Sequence, residues 1–190
     1  MQNLYFFRHG ETNLNAEGRF QGQSNNPPLN TKGIEQADSL SRKFMQIPLE
    51  IIYTSPLQRA MQTAQIVAKI KNIKINTDSR LIEGNFGTAE GLLKEDLAKK
   101  FPEEYAKWRD LKNMEFAFSK GESKAEILNR LQNFLRDLRT VPYHNIGIST
   151  HSAVIRCFLI SLGIYQDKIP NAQILHIVYE NEKYLFIKNN

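Results

Sequence analysis

The chain carries one cysteine among its 190 residues, Cys157. A lone thiol excludes an internal disulfide and predicts a reducing compartment. Its setting, "VIRCFLISLGI", is that of a buried structural thiol rather than a nucleophile. Long apolar runs are missing too. None approaches the ~18 to 20 residues that cross a bilayer, so no membrane partner is expected. "LYFF" is too short for the apolar region of a secretory leader, and Arg8, Glu11 and Glu17 follow closely. The expectation is a soluble, cytoplasmic protein. Blocks of one charge are also lacking. The net charge is +5 and the pI near 9.3. Such an excess suits nucleic acid, an anionic surface or small anionic substrates. The basic residues are scattered, however, which predicts solvated surface charge and no nucleic-acid partner. The four histidines, His9, His144, His151 and His176, have no close metal-ligand spacing. No metal and no cofactor are therefore expected. Repeats, low-complexity tracts and linkers are absent.

What is present is the balance of a globular core, with 41% apolar and 24% charged residues. The length favours one domain over residues 1–190, with a small helical insertion at about residues 88–120. "NLYFF" predicts a first, buried strand over residues 3–7. A polar loop rich in Gly, Asn and Pro follows. Thr31 is the expected N-cap of a helix running to Phe44. "EIIYTS" predicts a second strand, and Ser55–Pro56 the opening of a second helix. "IKINTD" predicts a third strand. Short helices are expected at "LKEDLAKKF" and "PEEYAKWRDL", and Ser123 should cap a long amphipathic helix. "NIGIST" predicts a buried strand with a helix after it, and "ILHIVYE" and "YLFIKN" a closing hairpin across "NEK". Strands alternating with helices predict a three-layer α/β/α sandwich, its central sheet mostly parallel with an antiparallel element at the end.

The chemistry collects at the predicted strand exits. Arg8 and His9 follow the first strand, Arg59 lies in the first turn after the second, and His151 follows "GIST". The carboxyl ends of parallel strands line one edge of an open sheet, where ligands bind. Two arginines and two imidazoles at that edge suit a phosphoryl group, whose oxygens match the planar guanidinium fork. A neutral imidazole nitrogen can attack phosphorus and form a phosphohistidine. A nearby carboxyl group can protonate the leaving oxygen and later activate water. On this reading the strand fixes His9, and Gly10 removes a side chain that would obstruct in-line approach. The bland alternatives are Arg59 on an exposed helix face and Glu83 as a loop carboxylate.

"RHGET" after a first strand resembles the signature of the histidine phosphatase superfamily, the phosphoglycerate mutase-like proteins. The resemblance spans nearly the whole chain: "RHGETNLN", "GRFQGQSNNPPLNTKGIEQA", "IYTSPLQRAMQTA", "LIEGNFGTAEG", "KGES" and "STHSAVIR" follow the family's order and approximate spacing. It implies His9 as the phosphorylated nucleophile and Arg8 and Arg59 as ligands of the phosphoryl oxygens. It places His151 opposite His9. Asn15 and the Gln21–Gly22 turn would complete the phosphate pocket, with Ser152 beside it and Glu83 as the acid/base. Glu11, Glu90 and Glu122 are the other carboxylates that could take that role. His144 and His176 match no motif. Trp108 and Tyr105 suit either the core of the insertion or a substrate wall, and Lys107 and Arg109 either solvent or a distal charge on the substrate.

The departures are Ser152 where the family often has Gly, Asn25 and Asn26 near a frequent Asp, and Ala89 near a frequent aromatic. The resemblance implies a metal-independent phosphomonoesterase of the branch that includes α-ribazole phosphatase, acting on a small phosphorylated metabolite. Family mutases are generally longer and bring paired arginines to a substrate carboxylate, whereas Arg109 has no arginine beside it. A cofactor-dependent phosphoglycerate mutase is the alternative within the family. A non-catalytic module binding phosphate ligands or nucleic acid is the alternative outside it. A homodimer is left open.

Overall fold

The computed structural model describes residues 1–187. Its centre is a six-stranded sheet in the order β3-β2-β4-β1-β5-β6. The strands are β1 (Gln2–Arg8), β2 (Ile51–Thr54), β3 (Lys74–Thr77), β4 (Asn145–Thr150), β5 (Ile174–Glu180) and β6 (Lys183–Ile187). The first four run parallel, β5 is antiparallel to β1, and β6 is antiparallel to β5. The helices are α1 (Asn13–Ala16), α2 (Thr31–Phe44), α3 (Gln58–Lys69), α4 (Lys94–Lys100), α5 (Pro102–Arg109), α6 (Lys124–Leu138) and α7 (Ser152–Ser161). Of the last predicted strand, Lys188 and Asn189 lie outside the described residues.

Both faces of the parallel part are covered, which is why β1 is apolar at successive positions rather than alternating. Leu4 and Phe6 pack with Ile127, Leu131 and Phe134 of α6 and Phe158 of α7. Tyr5 and Phe7 pack on the opposite face with Leu40 and Phe44 of α2 and Ala64 and Val67 of α3. This is the expected α/β sandwich. Cys157 sits in the first of these clusters, 2% exposed, and burial pushes its thiol up to about 12.

Helix openings differ from expectation at two places. Asn30, not Thr31, caps α2. Its backbone is extended, and its side-chain oxygen accepts from the Gly33 amide at 2.7 Å. α3 opens at Gln58, not at Ser55–Pro56. The Ser55 amide still donates to Ser149 across the sheet at 3.0 Å, so Ser55 belongs to the strand exit and the helix begins later. Ser123 caps α6 in a reciprocal box with Glu126, as its spacing predicts. The β5–β6 hairpin turns on Asn181 and Glu182, both with positive φ, at 49° and 61°.

Candidate active site

The strand exits do converge. A cavity of about 350 Å³ is lined by Arg8, His9, Asn15, Gln21, Gly22, Arg59, Glu83 and Ser152, among others. Of the expected site residues only His151 does not line it. It is fully buried against His9, with ring centroids 5.1 Å apart and planes tilted by 58°.

His9 is held by the chain that follows the strand. Its Nδ1 lies 2.6 Å from the carbonyl oxygen of Gly10. A carbonyl can only accept, so Nδ1 carries the proton and Nε2 keeps its lone pair. Burial, then the charges of Arg59 and Arg8, holds the ring well below the usual histidine range, and the Gly10 bond only partly opposes this. The result is a neutral imidazole with a fixed tautomer. His151 is shifted the same way, by burial first and by Arg59 next. Its Nε2 meets the Ser55 hydroxyl at 2.7 Å, and its Nδ1 is buried without a partner.

The two arginines are anchored by part of each guanidinium. Arg8 donates through NH1 to the Ile169 carbonyl at 2.6 Å. Arg59 is fully buried and donates to the carbonyls of Gly22, at 2.9 Å, and Asn25, at 3.2 Å. It is not on an exposed helix face. Burial pushes each guanidinium down to about 10. Five buried side-chain polar atoms lack a protein partner among the described residues, and four belong to this region: Arg8 Nε, Arg59 Nε, Arg156 Nε and His151 Nδ1. Three of the four are guanidinium N–H donors, which are costly to bury unmet, and their clustering suits an anion.

The loop carrying Gln21 and Gly22 is braced from two sides. The amide oxygen of Asn15 accepts from the Thr12 amide and from Asn171, which leaves its NH₂ to donate. The Gln21 amide oxygen accepts from the Thr12 hydroxyl at 2.9 Å. Glu90 accepts from the backbone amides of Gln23, Ser24 and Phe86, tying this loop to the one after Glu83. Gly22 has φ +57°, and a β-carbon there would fall 1.8 Å from the Glu90 carboxylate.

Glu83 is 7% exposed, so it is not an open loop carboxylate. One oxygen accepts from the amides of Gly84 at 3.0 Å and Ala153 at 3.2 Å, the latter in the first turn of α7. Its backbone carbonyl is clamped by Arg130 at 3.0 Å and Gln23 at 2.8 Å. Arg130 also holds the Arg80 carbonyl and pairs with Glu122 at 2.9 Å, and Glu122 accepts from the Asn85 amide. Glu11 is engaged with Lys32 at 2.9 Å. Glu11, Glu90 and Glu122 are thus all occupied, and none lines the cavity.

Gly10 has a different purpose from the one its position suggests. A β-carbon there would lie 2.3 Å from the Gly33 carbonyl oxygen. Its bareness serves the close approach of the strand exit to α2, not access to His9. Trp108 and Tyr105 both line the cavity, and Trp108 is also core, packed edgewise on Phe86. His176 stacks on Tyr5 and His144 meets the Met1 carbonyl, both outside the cavity lining. Sequence reasoning missed the Arg130–Glu122 clamp, Asn171, and Lys94, Arg156 and Lys168 in the cavity wall. Arg156 gave one signal, a single cation inside an apolar helix.

A sheet whose parallel exits bring a tautomer-fixed imidazole between two arginines defines a phosphoryl-handling α/β protein. The chain belongs to the histidine phosphatase superfamily (branch 1), whose model matches residues 4–190. It is 32% identical to phosphoserine phosphatase 1 of Hydrogenobacter thermophilus, over 100% of this chain and 92% of that one. It is 30% identical to the probable phosphoglycerate mutase of Proteus mirabilis, over 97% and 88%. Among solved structures, Entamoeba histolytica phosphoserine phosphatase superposes with a TM-score of 0.84 at 28% identity, covering 99% of this chain and 96% of that one. No helix among the described residues is long and apolar enough to cross a membrane.

Proposed function

We propose that the protein is a phosphomonoesterase acting on a small phosphorylated metabolite, with His9 as nucleophile. The observation that carries this reading is the His9 ring itself: its Nδ1 donates to the Gly10 carbonyl, and its free Nε2 faces a cavity walled by Arg8 and Arg59. Nε2 attacks phosphorus in line, the P–N bond forms and the ester P–O bond breaks. Glu83 gives its proton to the departing oxygen. Water then attacks the phosphohistidine and yields a proton to Glu83, the P–N bond breaks, and inorganic phosphate leaves with both groups restored. Arg8, Arg59 and His151, with the donors of Asn15, Gln21 and the Gly22 turn and Ser152 at the start of α7, meet the charge on the transferring group. No step as written calls for a metal ion. The phosphatases among its relatives support hydrolysis. Arg109, the arginine of the insertion that lines the cavity, pairs with Asp167 at 2.7 Å and has no second arginine beside it in sequence, and this favours hydrolysis over mutase chemistry.

The test is to trap the intermediate. Mixing with substrate, an acid-free quench and intact mass measurement should reveal one phosphoryl adduct on the wild type and none on His9→Ala, which should also lose turnover. Full turnover in His9→Ala would overturn the mechanism.

A further inference from the structure

The His9 ring hangs on one peptide unit, and that unit is held from outside the cavity. Between His9 and Glu11 the chain leaves β1, and every backbone polar group in this turn has a partner. The His9 amide donates to the Thr150 carbonyl at 3.2 Å. The His9 carbonyl accepts from the Ala172 amide at 3.3 Å and from the Asn171 side chain at 3.1 Å. The Gly10 amide donates to the Thr63 hydroxyl at 3.1 Å, and the Glu11 carbonyl accepts from the Asn30 amide at 3.0 Å. The peptide joining Gly10 to Glu11 is bonded differently. Among the described residues, its carbonyl meets His9 Nδ1 alone, at 2.6 Å. Its N–H donates to the side-chain oxygen of Gln36 at 2.8 Å.

Gln36 belongs to α2 and follows Gly33 by three residues, so the two share a helix face. The seam that Gly10 and Gly33 keep narrow therefore brings Gln36 within reach of the Glu11 amide. A peptide whose N–H is already bonded presents a stronger carbonyl acceptor, by about 10–30% per bond. The contact with His9 Nδ1 agrees with this, being shorter than the usual ~2.9 to 3.0 Å. That contact decides the tautomer. A neutral imidazole carries its proton on either nitrogen, and only the Nδ1–H form leaves Nε2 free to attack phosphorus. We infer, resting on the phosphatase reading, that Gln36 is a positioning residue for phosphoryl transfer. Through the Gly10–Glu11 peptide it aims and strengthens the carbonyl that keeps the His9 proton on Nδ1. Gln36 does not line the cavity, so it acts only through His9.

Two variants test this. Gln36→Met keeps the length of the side chain and removes the acceptor, whereas Gln36→Glu retains an accepting oxygen. Long-range 1H–15N spectra read the His9 tautomer directly, with His9→Gln identifying its signals. The wild-type ring should be a single form with its proton on Nδ1. Gln36→Met should shift both ring nitrogens towards a mixture in which Nε2 is partly protonated, and Gln36→Glu should move them back. In Gln36→Met kcat/KM should fall by about 10- to 100-fold, the order that a misplacement near 1 Å costs. Gln36→Glu should recover most of that loss. His9 attacks alkyl and aryl phosphates alike, so the loss should be equal on both, unlike the loss from a residue acting through Glu83. Wild-type ring signals in Gln36→Met would overturn the inference, as would unchanged kcat/KM or a loss confined to alkyl substrates. Equal shifts in Gln36→Met and Gln36→Glu would reduce Gln36 to a packing residue. Should Gln36→Met fail to fold, Gln36→Asn, too short to reach the Glu11 amide, answers by the same spectra. If the wild type releases phosphate from no ester, the phosphatase reading falls. The spectra need no substrate and still decide whether Gln36 sets the tautomer of His9.

Discussion

Alanine at position 33 should lower the melting temperature, although helix propensity alone argues for the reverse. Gly33 lies in the first turn of α2, where alanine gains at most about 1 kcal/mol on propensity. Against this, a β-carbon on Gly33 would lie 2.0 Å from the Glu11 carbonyl oxygen and 2.8 Å from the Glu11 amide nitrogen. Those atoms are main chain, so no rotamer change relieves the contact, and α2 must move from the strand exit. Overpacking a close-packed interior costs about 1 to 3 kcal/mol, sometimes more, and a backbone obstacle puts this site at the upper end. The balance is a loss of about 2 kcal/mol. For a chain of this size each kcal/mol moves Tm by about 2 to 4 °C, so the expected drop is roughly 4 to 8 °C. Gly10→Ala meets the same seam from the other side, with its β-carbon 2.3 Å from the Gly33 carbonyl oxygen. Because both variants open one contact, the double variant should lose less than the sum of the singles. Thermal melts and urea titrations check this, with the m-value unchanged. Gly33→Ala melting at or above the wild type would refute close approach as the reason for the glycines. A Gly10→Ala that loses turnover yet melts normally would restore the view that Gly10 clears a path to His9.

Two further outcomes follow from the site. His9 and His151 are both held well below the ordinary histidine value, by burial first. The unfolded chain therefore takes up protons near pH ~6.5 that the folded chain refuses, and stability should fall as pH drops below that point, by about 1.4 kcal/mol per pH unit for each histidine. Melting curves between about pH 7.5 and 5.5 should show this, with a shallower slope in His9→Gln; an identical slope would exclude His9 as a contributor. Arg130→Met should cut kcat on alkyl phosphates by about 10- to 100-fold, because it frees the Glu83 carbonyl, and a displacement near 1 Å costs that order. Aryl phosphates, whose leaving groups need little protonation, should lose far less, and equal losses on both would show that Arg130 does not act through Glu83.

Much of this was legible in the chain because its signals are local. The apolar runs before Arg8 and before His151 are strands buried on two faces, and they deliver the residues that follow them to one edge. Helix openings were less so. Asn30 and Thr31 are both good caps by type, and the choice falls to the residue whose backbone is extended, a matter settled by packing. The clamp on Glu83 was hidden because Arg130 lies in α6 and Glu122 in the loop before its cap, and nothing local in the sequence links either to Glu83. Only the fold brings the Glu83 carbonyl between them and Gln23. The trio of Lys94, Arg156 and Lys168 was hidden for the same reason: it is drawn from α4, α7 and the loop before β5, and the sequence gives scattered cations no common address.

The sheet order has a consequence for the newly made chain. β1 carries His9, yet its neighbours are β4 and β5, which begin at residues 145 and 174. β2, the next strand to be made, pairs with β3 and β4 and never with β1. A nascent chain halted before residue 145 thus has its first strand made and no edge to dock it on. Its apolar "LYFF" must wait, exposed or held by a chaperone, while three quarters of the chain is synthesised. Both neighbours of that first strand are among the last pieces to leave the ribosome, so the surroundings of His9 stay unassembled until the rest of the molecule is nearly complete.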